Sequence, residues 1–246
     1  MTFDEETWRY LRGEKFSNRI DVALRYKEPV PNRVTFLTDM SRGKKIVHLG
    51  CLDHKPLIAD KIARKQWLHK ELTDVSKACI GVDIDEDTLH YVESTFGYTN
   101  IVLGNFTTDK FEKISGNTWD YAILGELLEH IDNPVQFLSA IRANYAGTID
   151  RIVVTVPNAW TRITMKMAQS SVEMINSDHR YWFTPYTLAK VLYQAGMVTE
   201  EIKFANRIPL DPFDLIKSKI AGLVGSKPSY DFTYASSIIA IARLSA

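Results

Sequence analysis

Between Lys44 and Val156, short apolar runs alternate with stretches whose apolar residues recur every three or four positions. The runs KKIVHLG (44–50), ACIGVDI (78–84), Asn100 to Gly104, Tyr121 to Leu124 and DRIVVTV (150–156) predict buried strands, because both faces are covered and strict alternation is lost. Leu57 to Leu72, Glu86 to Phe96 and Pro134 to Tyr145 predict helices between them, and 107–118 a loop with one helical turn. Strand and helix in turn for over a hundred residues specify an α/β domain with a doubly wound, mainly parallel sheet. The tail differs. Pro185 to Ala195 predicts a helix stopped at Gly196, and Val198 to Phe204 and Ser236 to Arg243 predict two late strands. Phe213, Ile216, Ile220 and Leu223 recur at helical spacing within 211–225. This gives a helical insertion at about 207–229, read as a lid, a dimer surface or an interfacial membrane contact. Residues 1–43 carry no strand pattern. Asp4 to Leu11 and Asn32 to Met40 predict two helices, separated by the proline break KEPVPN, and the region is expected to be a helical cover ahead of the 44–246 domain.

The densest chemistry falls in WDYAILGELLEHIDNP, 119–134. An apolar strand ends at Gly125, and Glu126, Glu129 and His130 follow within five residues. If 126–130 form a helical turn, the i, i+3 and i+4 side chains share one face. Two carboxylates and an imidazole then meet at the carboxyl end of a strand, where open α/β sheets bind ligands.

Composition narrows the partners. Lys plus Arg and Asp plus Glu number 30 each, so the basic excess of a duplex binder is missing and no nucleic-acid partner is expected. Cys51 and Cys79 sit in or beside apolar runs and are expected to be buried free thiols in a reducing compartment, the cytoplasm. The opening MTFDEETW is acidic where a secretory signal is basic, and no apolar run approaches a membrane span.

Four blocks taken together, KKIVHLGC, GVDIDEDTL, WDYAILGELLEHIDNP, and RIVVTVPN followed by HRYWFTPYTLAKVLYQAGM, resemble a class I S-adenosylmethionine-dependent methyltransferase. The likeness runs from Lys44 to the C-terminus and is nearest to the small-molecule and glycan-associated bacterial members. It implies a Rossmann-like seven-stranded sheet, mainly parallel, with one antiparallel strand inserted beside the fifth and helices on both faces. It also implies S-adenosylmethionine as cofactor, contacted by Gly50, Cys51, Asp83, Ile84, Asn105 and Phe106. Asp83 is matched to the acidic residue that accepts from both ribose hydroxyls, with a helix N-cap as its alternative role. Asn105 is matched to the adenine contact, and Phe106 flanks the ring or packs in the core. The first loop departs from the pattern: Gly50 is kept, but Leu52 and His54 stand at the next two glycine positions and His48 replaces a frequent acidic residue. Asp53 and His54 contact the methionine end or cap the helix.

His130 is the candidate general base on a substrate hydroxyl, assisted by Glu126 and His179. Glu126, Glu129, His130 and the distant His179 also resemble the E-x-x-E-H plus His set of metal-dependent small-RNA 2′-O-methyltransferases, which implies a divalent ion such as Mg or Mn. Arg180 holds an anionic group or a surface salt bridge. The resulting expectation is an O-methyltransferase acting on a small hydroxylated metabolite, sugar or glycan precursor, with a homodimer as one arrangement. An RNA 2′-O-methyltransferase and a catalytically degenerate scaffold subunit are the alternatives.

Overall fold

The computed structural model describes residues 3–24, 29–209 and 231–244. Seven strands form one sheet: β1 (Lys45–Leu49), β2 (Ala78–Asp83), β3 (Ile101–Leu103), β4 (Trp119–Gly125), β5 (Ile149–Pro157), β6 (Val198–Arg207) and β7 (Ala235–Arg243). Their order is β3-β2-β1-β4-β5-β7-β6. β1 to β5 run parallel, while β7 lies antiparallel between β5 and β6, as expected for the inserted strand. The chain winds outward in opposite directions from β1 and β4, so their carboxyl ends bound the crevice of a topological switch point.

The helices are α1 (Glu5–Leu11), α2 (Arg33–Ser41), α3 (Lys55–Ala63), α4 (Leu68–Val75), α5 (Glu86–Phe96), α6 (Glu112–Ser115), α7 (Pro134–Tyr145), α8 (Arg162–Gln169) and α9 (Pro185–Gln194). Several start where the sequence provides a cap: Asp4, Asn32, Asp85, Asn133 and Thr184 each accept a backbone N–H of the first turn. The sheet is covered on both faces. Leu124, Val154 and Ile238 join Leu138 and Ile141 of α7 and Leu188 and Leu192 of α9 in one core. Ile46, Ile123, Val153 and Ile239 join Leu37 of α2 and Leu68 and Leu72 of α4 in the other. Each such side chain contributes about 1.5–3 kcal/mol on burial.

Three expectations need correction. The helix expected over Leu57 to Leu72 is two helices, because Lys65 takes a left-handed φ of 56° and the chain turns so that Trp67 can bury its indole. Its Nε1–H donates to Cys51 O at 3.1 Å, which anchors the first loop from beneath. The helical turn expected from Glu126 is limited to a 3-10 turn at Leu128–His130, since Glu126 itself has φ 57°. The pattern of the chain gave no helix for α8, a short element none of whose residues is buried. The insertion expected at 207–229 lies, from residue 210 on, outside the described residues.

The N-terminal segment is tied down at three places. Lys190 of α9 donates to Tyr10 O at 2.9 Å and Leu11 O at 2.6 Å at the end of α1. Val30 extends the edge of β6 through a bridge to Ala205. Arg33 N–H at the start of α2 donates to Asn206 Oδ1 at 2.8 Å.

His48 of β1 meets His69 of α4 inside the second core, Nδ1 to Nδ1 at 3.4 Å with the rings stacked. Burial first, then His69 and Arg33, hold His48 well below the usual histidine value. Burial lowers His69 to about 4. The unfolded chain takes up protons as pH falls through about 6.5 while the native pair stays neutral. Stability is therefore full above that pH and declines as pH falls toward the depressed native values. In urea unfolding the pair contributes a loss of up to about 1.4 kcal/mol per pH unit for each histidine below about pH 6.5, against an opposite contribution from Glu129, whose raised pKa favours the native state as pH falls; the slopes of wild type and His69→Gln should therefore differ by one histidine's share. An unchanged slope in the variant would refute the assignment.

Candidate active site at the carboxyl edge of the sheet

The first loop leaves β1 through Gly50, whose φ of 63° lies in the left-handed region. Its N–H donates to Val82 O at 3.0 Å, and a Cβ there would lie 2.8 Å from Leu127 Cδ1. Gly50 thus brings the β1 loop directly against the residue that follows Glu126. The two non-glycine positions find other uses. Leu52 packs with Cys51, Ile58 and Trp67, and its N–H donates to Asp83 Oδ2 at 2.8 Å. His54 is exposed at the cap position of α3 and makes no side-chain cap bond, while Asp53 pairs with Lys61.

Asp83 ends β2 and also accepts from Ile84 N–H at 2.8 Å and Asp85 N–H at 3.2 Å. It is not the cap of α5, a role taken by Asp85. Burial raises its pKa above the usual carboxylate value, against the pull of the three N–H donors. Ile84 beside it is 74% exposed. Asn105 accepts from Thr107 N–H at 3.0 Å and Thr107 Oγ1–H at 2.7 Å. Phe106 is packed into the core, its ring 4.1 Å from that of Tyr145, which is the second of the two roles its position left open. The Cys51 thiol is likewise buried, and burial pushes its pKa up. Cys51 and Cys79 are both free and buried.

Across the switch point, β4 ends at Gly125 and Glu126 N–H donates to Thr155 O at 3.0 Å. The left-handed turn at Glu126 sends the chain into the 3-10 turn that carries Glu129 and His130. The segment 178–182 closes over that turn. Arg180 N–H donates to Glu129 O at 2.8 Å, Arg180 pairs with Asp132, and Tyr181 Oη–H donates to Asp132 O at 2.7 Å. Arg180 is thereby engaged in the salt bridge.

This strap places His179 edge-on to His130, with ring centroids 4.7 Å apart, and His179 Nε2 lies 4.0 Å from Glu129 Oε1. One ligating atom each from Glu129, His130 and His179 falls within 4.8 Å of the others. Glu126 stands outside that set, a correction to the expected four-residue cluster. It faces Arg33 instead, Oε1 to Nε 3.6 Å, and Arg33 Nη1 donates to Thr155 Oγ1 at 3.1 Å.

Glu129 has no accessible surface, and neither of its carboxylate oxygens has a hydrogen-bond partner among the described residues. His179 Nδ1 is in the same condition. Burial, and then Glu126, raise the Glu129 pKa well above the usual carboxylate range. Burial, and then His130, lower that of His179. A buried carboxylate left unpaired costs several kcal/mol, so this one needs a proton or a cation. Two imidazoles and a carboxylate are a donor set suited to Mn, Zn or Fe.

Asn158, just beyond β5, is buried and structural, its Nδ2 donating to Phe232 O at 3.1 Å and Ala235 O at 2.9 Å. Two residues escaped the sequence reading: Arg33 and Thr155. They stand 122 positions apart, and no local pattern marks their pairing.

This sheet order, with a crevice between β1 and β4 and one antiparallel inserted strand, is the Rossmann-like methyltransferase fold. The chain matches the model of a family described as a methyltransferase domain over residues 23–202, and it belongs to that family. No curated protein matches it by sequence. Among solved structures it resembles a SAM-dependent methyltransferase from Archaeoglobus fulgidus, at 17% identity, 86% of this chain, 91% of that one and a TM-score of 0.52. It also resembles the small RNA methyltransferase HEN1, at 16% identity, 93% of this chain, 27% of that one and a TM-score of 0.51. A third likeness is to magnesium protoporphyrin IX methyltransferase from Synechocystis PCC 6803 with bound SAH, at 11% identity, 97% of this chain, 93% of that one and a TM-score of 0.51. At such identities the likeness is one of fold. Among the described residues no helix is long and apolar enough to cross a membrane.

Gly50→Ala should cost about 1–2 kcal/mol from the left-handed backbone alone. The measurement is thermal unfolding against wild type, and an unchanged Tm would contradict the loop geometry.

Proposed function

We propose that the protein is an S-adenosylmethionine-dependent O-methyltransferase acting on a small hydroxylated metabolite, sugar or glycan precursor. The observation that carries this reading is the Glu129–His130–His179 cluster, with its carboxylate buried and its imidazoles half-buried, beside the carboxyl edge and next to the crevice bounded by Gly50 and Asp83. When bound, S-adenosylmethionine supplies an activated methyl group. Asp83 would accept from the ribose hydroxyls, exposed Ile84 would give the adenine an apolar surface, and Asn105 would accept from its amino group. Gly50 and Cys51 would line the methionine end with backbone. His130 would take the proton from the acceptor hydroxyl while Glu129 and His179 hold its ring in place, and Glu126 would help orient the acceptor.

A divalent ion fits the same donors. Glu129, His130 and His179 would hold it, and the orphaned oxygens of Glu129 support that fit. Bound there, it would lower the pKa of a coordinated hydroxyl. This donor set also favours a metal-dependent RNA 2′-O-methyltransferase as second reading, but the balance of 30 acidic and 30 basic residues speaks against a polyanionic substrate.

Calorimetry with S-adenosylhomocysteine tests the core of the proposal: saturable binding is expected, and none at millimolar ligand would leave a scaffold fold. Asp83→Ala should weaken that binding at least about tenfold, or about 1.4 kcal/mol. The Asp83 carboxylate also holds three backbone N–H groups, so circular dichroism must accompany the titration. His130→Ala should abolish methyl transfer while the affinity for S-adenosylhomocysteine stays within about threefold, a difference below 1 kcal/mol. Titration with Mn²⁺ followed by electron paramagnetic resonance should show one site, removed by Glu129→Gln. Equal Mn²⁺ binding in the variant would exclude this metal assignment.

A further inference from the structure

Helix α8 borders two cavities that differ in the charged groups lining them. The one of about 700 Å³ carries Arg162, Lys166 and Asp231 beside Ile163, Met165 and Ile208. The other, of about 510 Å³, has Trp160, Trp182, Val172 and Met174 in its lining, with Glu173 as its charged group and no Lys, Arg or His among the described residues that line it. Trp182 belongs both to this second cavity and to the active-site cluster, since its ring lies edge-on to His179 with centroids 6.4 Å apart. The cavity is therefore one indole removed from His179, on the side of the 178–182 strap.

From this arrangement we infer that the second cavity is the acceptor subsite and that it takes an uncharged, planar, hydroxylated aromatic ring. The inference rests on the methyltransferase reading and narrows it. Two indoles and a thioether offer faces and edges on which a flat ring packs. The volume lies within the range of small-molecule sites. A sugar would need several convergent polar partners, and of the polar side chains here Thr164 and Glu173 are already engaged, which leaves the hydroxyl of Ser171. Thr164 Oγ1–H bonds to Ala159 O at 2.8 Å or Thr161 O at 2.9 Å, and Glu173 Oε1 accepts from Trp182 Nε1 at 3.1 Å. An anionic acceptor meets no cation there and is repelled by the Glu173 carboxylate. The same charge argument disfavours an RNA backbone at this face.

Ligand-observed NMR on the full chain, with and without S-adenosylhomocysteine, tests this with catechol, its carboxylate analogue protocatechuate, methyl glucoside and a short single-stranded oligoribonucleotide. Catechol should bind at least about tenfold tighter than protocatechuate, a difference of about 1.4 kcal/mol, and the other two should give no saturable signal. Trp182→Leu should weaken catechol about tenfold while S-adenosylhomocysteine affinity is kept. Glu173→Gln, which is isosteric, should bring protocatechuate to within about threefold of catechol. Equal or tighter binding of protocatechuate, methyl glucoside or the oligoribonucleotide would overturn the inference, as would unaltered catechol binding in Trp182→Leu. Failure of S-adenosylhomocysteine to bind is a separate result: it removes the methyltransferase reading, while the catechol series without it still decides the nature of the cavity.

Discussion

A carboxylate that is fully removed from solvent and lacks hydrogen-bond partners must acquire a proton or a cation, and Glu129 is under that constraint. The structure around it is arranged to hold it there. β4 delivers the chain to the edge of the sheet, the left-handed Glu126 redirects it, and the strap from Asp178 to Trp182 seals the turn through the Glu129 carbonyl and Asp132. A group so expensive to bury unpaired, flanked by two imidazoles, is more readily explained by chemistry than by stability.

The N-terminal region enters this site through one residue. α2 packs on α4 over the second core, and from its first turn Arg33 reaches both Thr155 at the end of β5 and Glu126 beyond β4. Arg33 thereby balances the carboxylate nearest to Glu129. The buried His48 lies beside the same guanidinium and is kept neutral by burial. Charge at the edge of the sheet is thus set by three elements that are remote in the chain.

Polarity around the edge is also uneven. The segment between β5 and α9 lines one cavity with Trp160, Met174 and Trp182, and the other with Arg162 and Lys166 beside Ile163 and Met165. The cations Arg162 and Lys166 lie on one side of the short exposed helix, and Glu173 is the charged group on the other among the described residues that line the two cavities.

The strands were legible because residues buried on both sheet faces appear as unbroken apolar runs, and most helices because their capping residues are local. That Glu129, His130 and Asp83 stand at the carboxyl edge was legible because they directly follow or end strands of a parallel sheet. The single helix expected at Leu57 to Leu72 failed because Trp67 is claimed by Cys51 across the loop, a contact that periodicity does not contain. Glu126 left the expected face because one left-handed residue changes the direction of the chain, and left-handed φ at a non-glycine position is unmarked in sequence. Local order thus followed from the pattern of the chain itself. The meeting of Arg33 with Thr155, of His48 with His69, and of His130 with His179 was decided by packing alone, because those encounters join residues that only the closed sheet brings within reach.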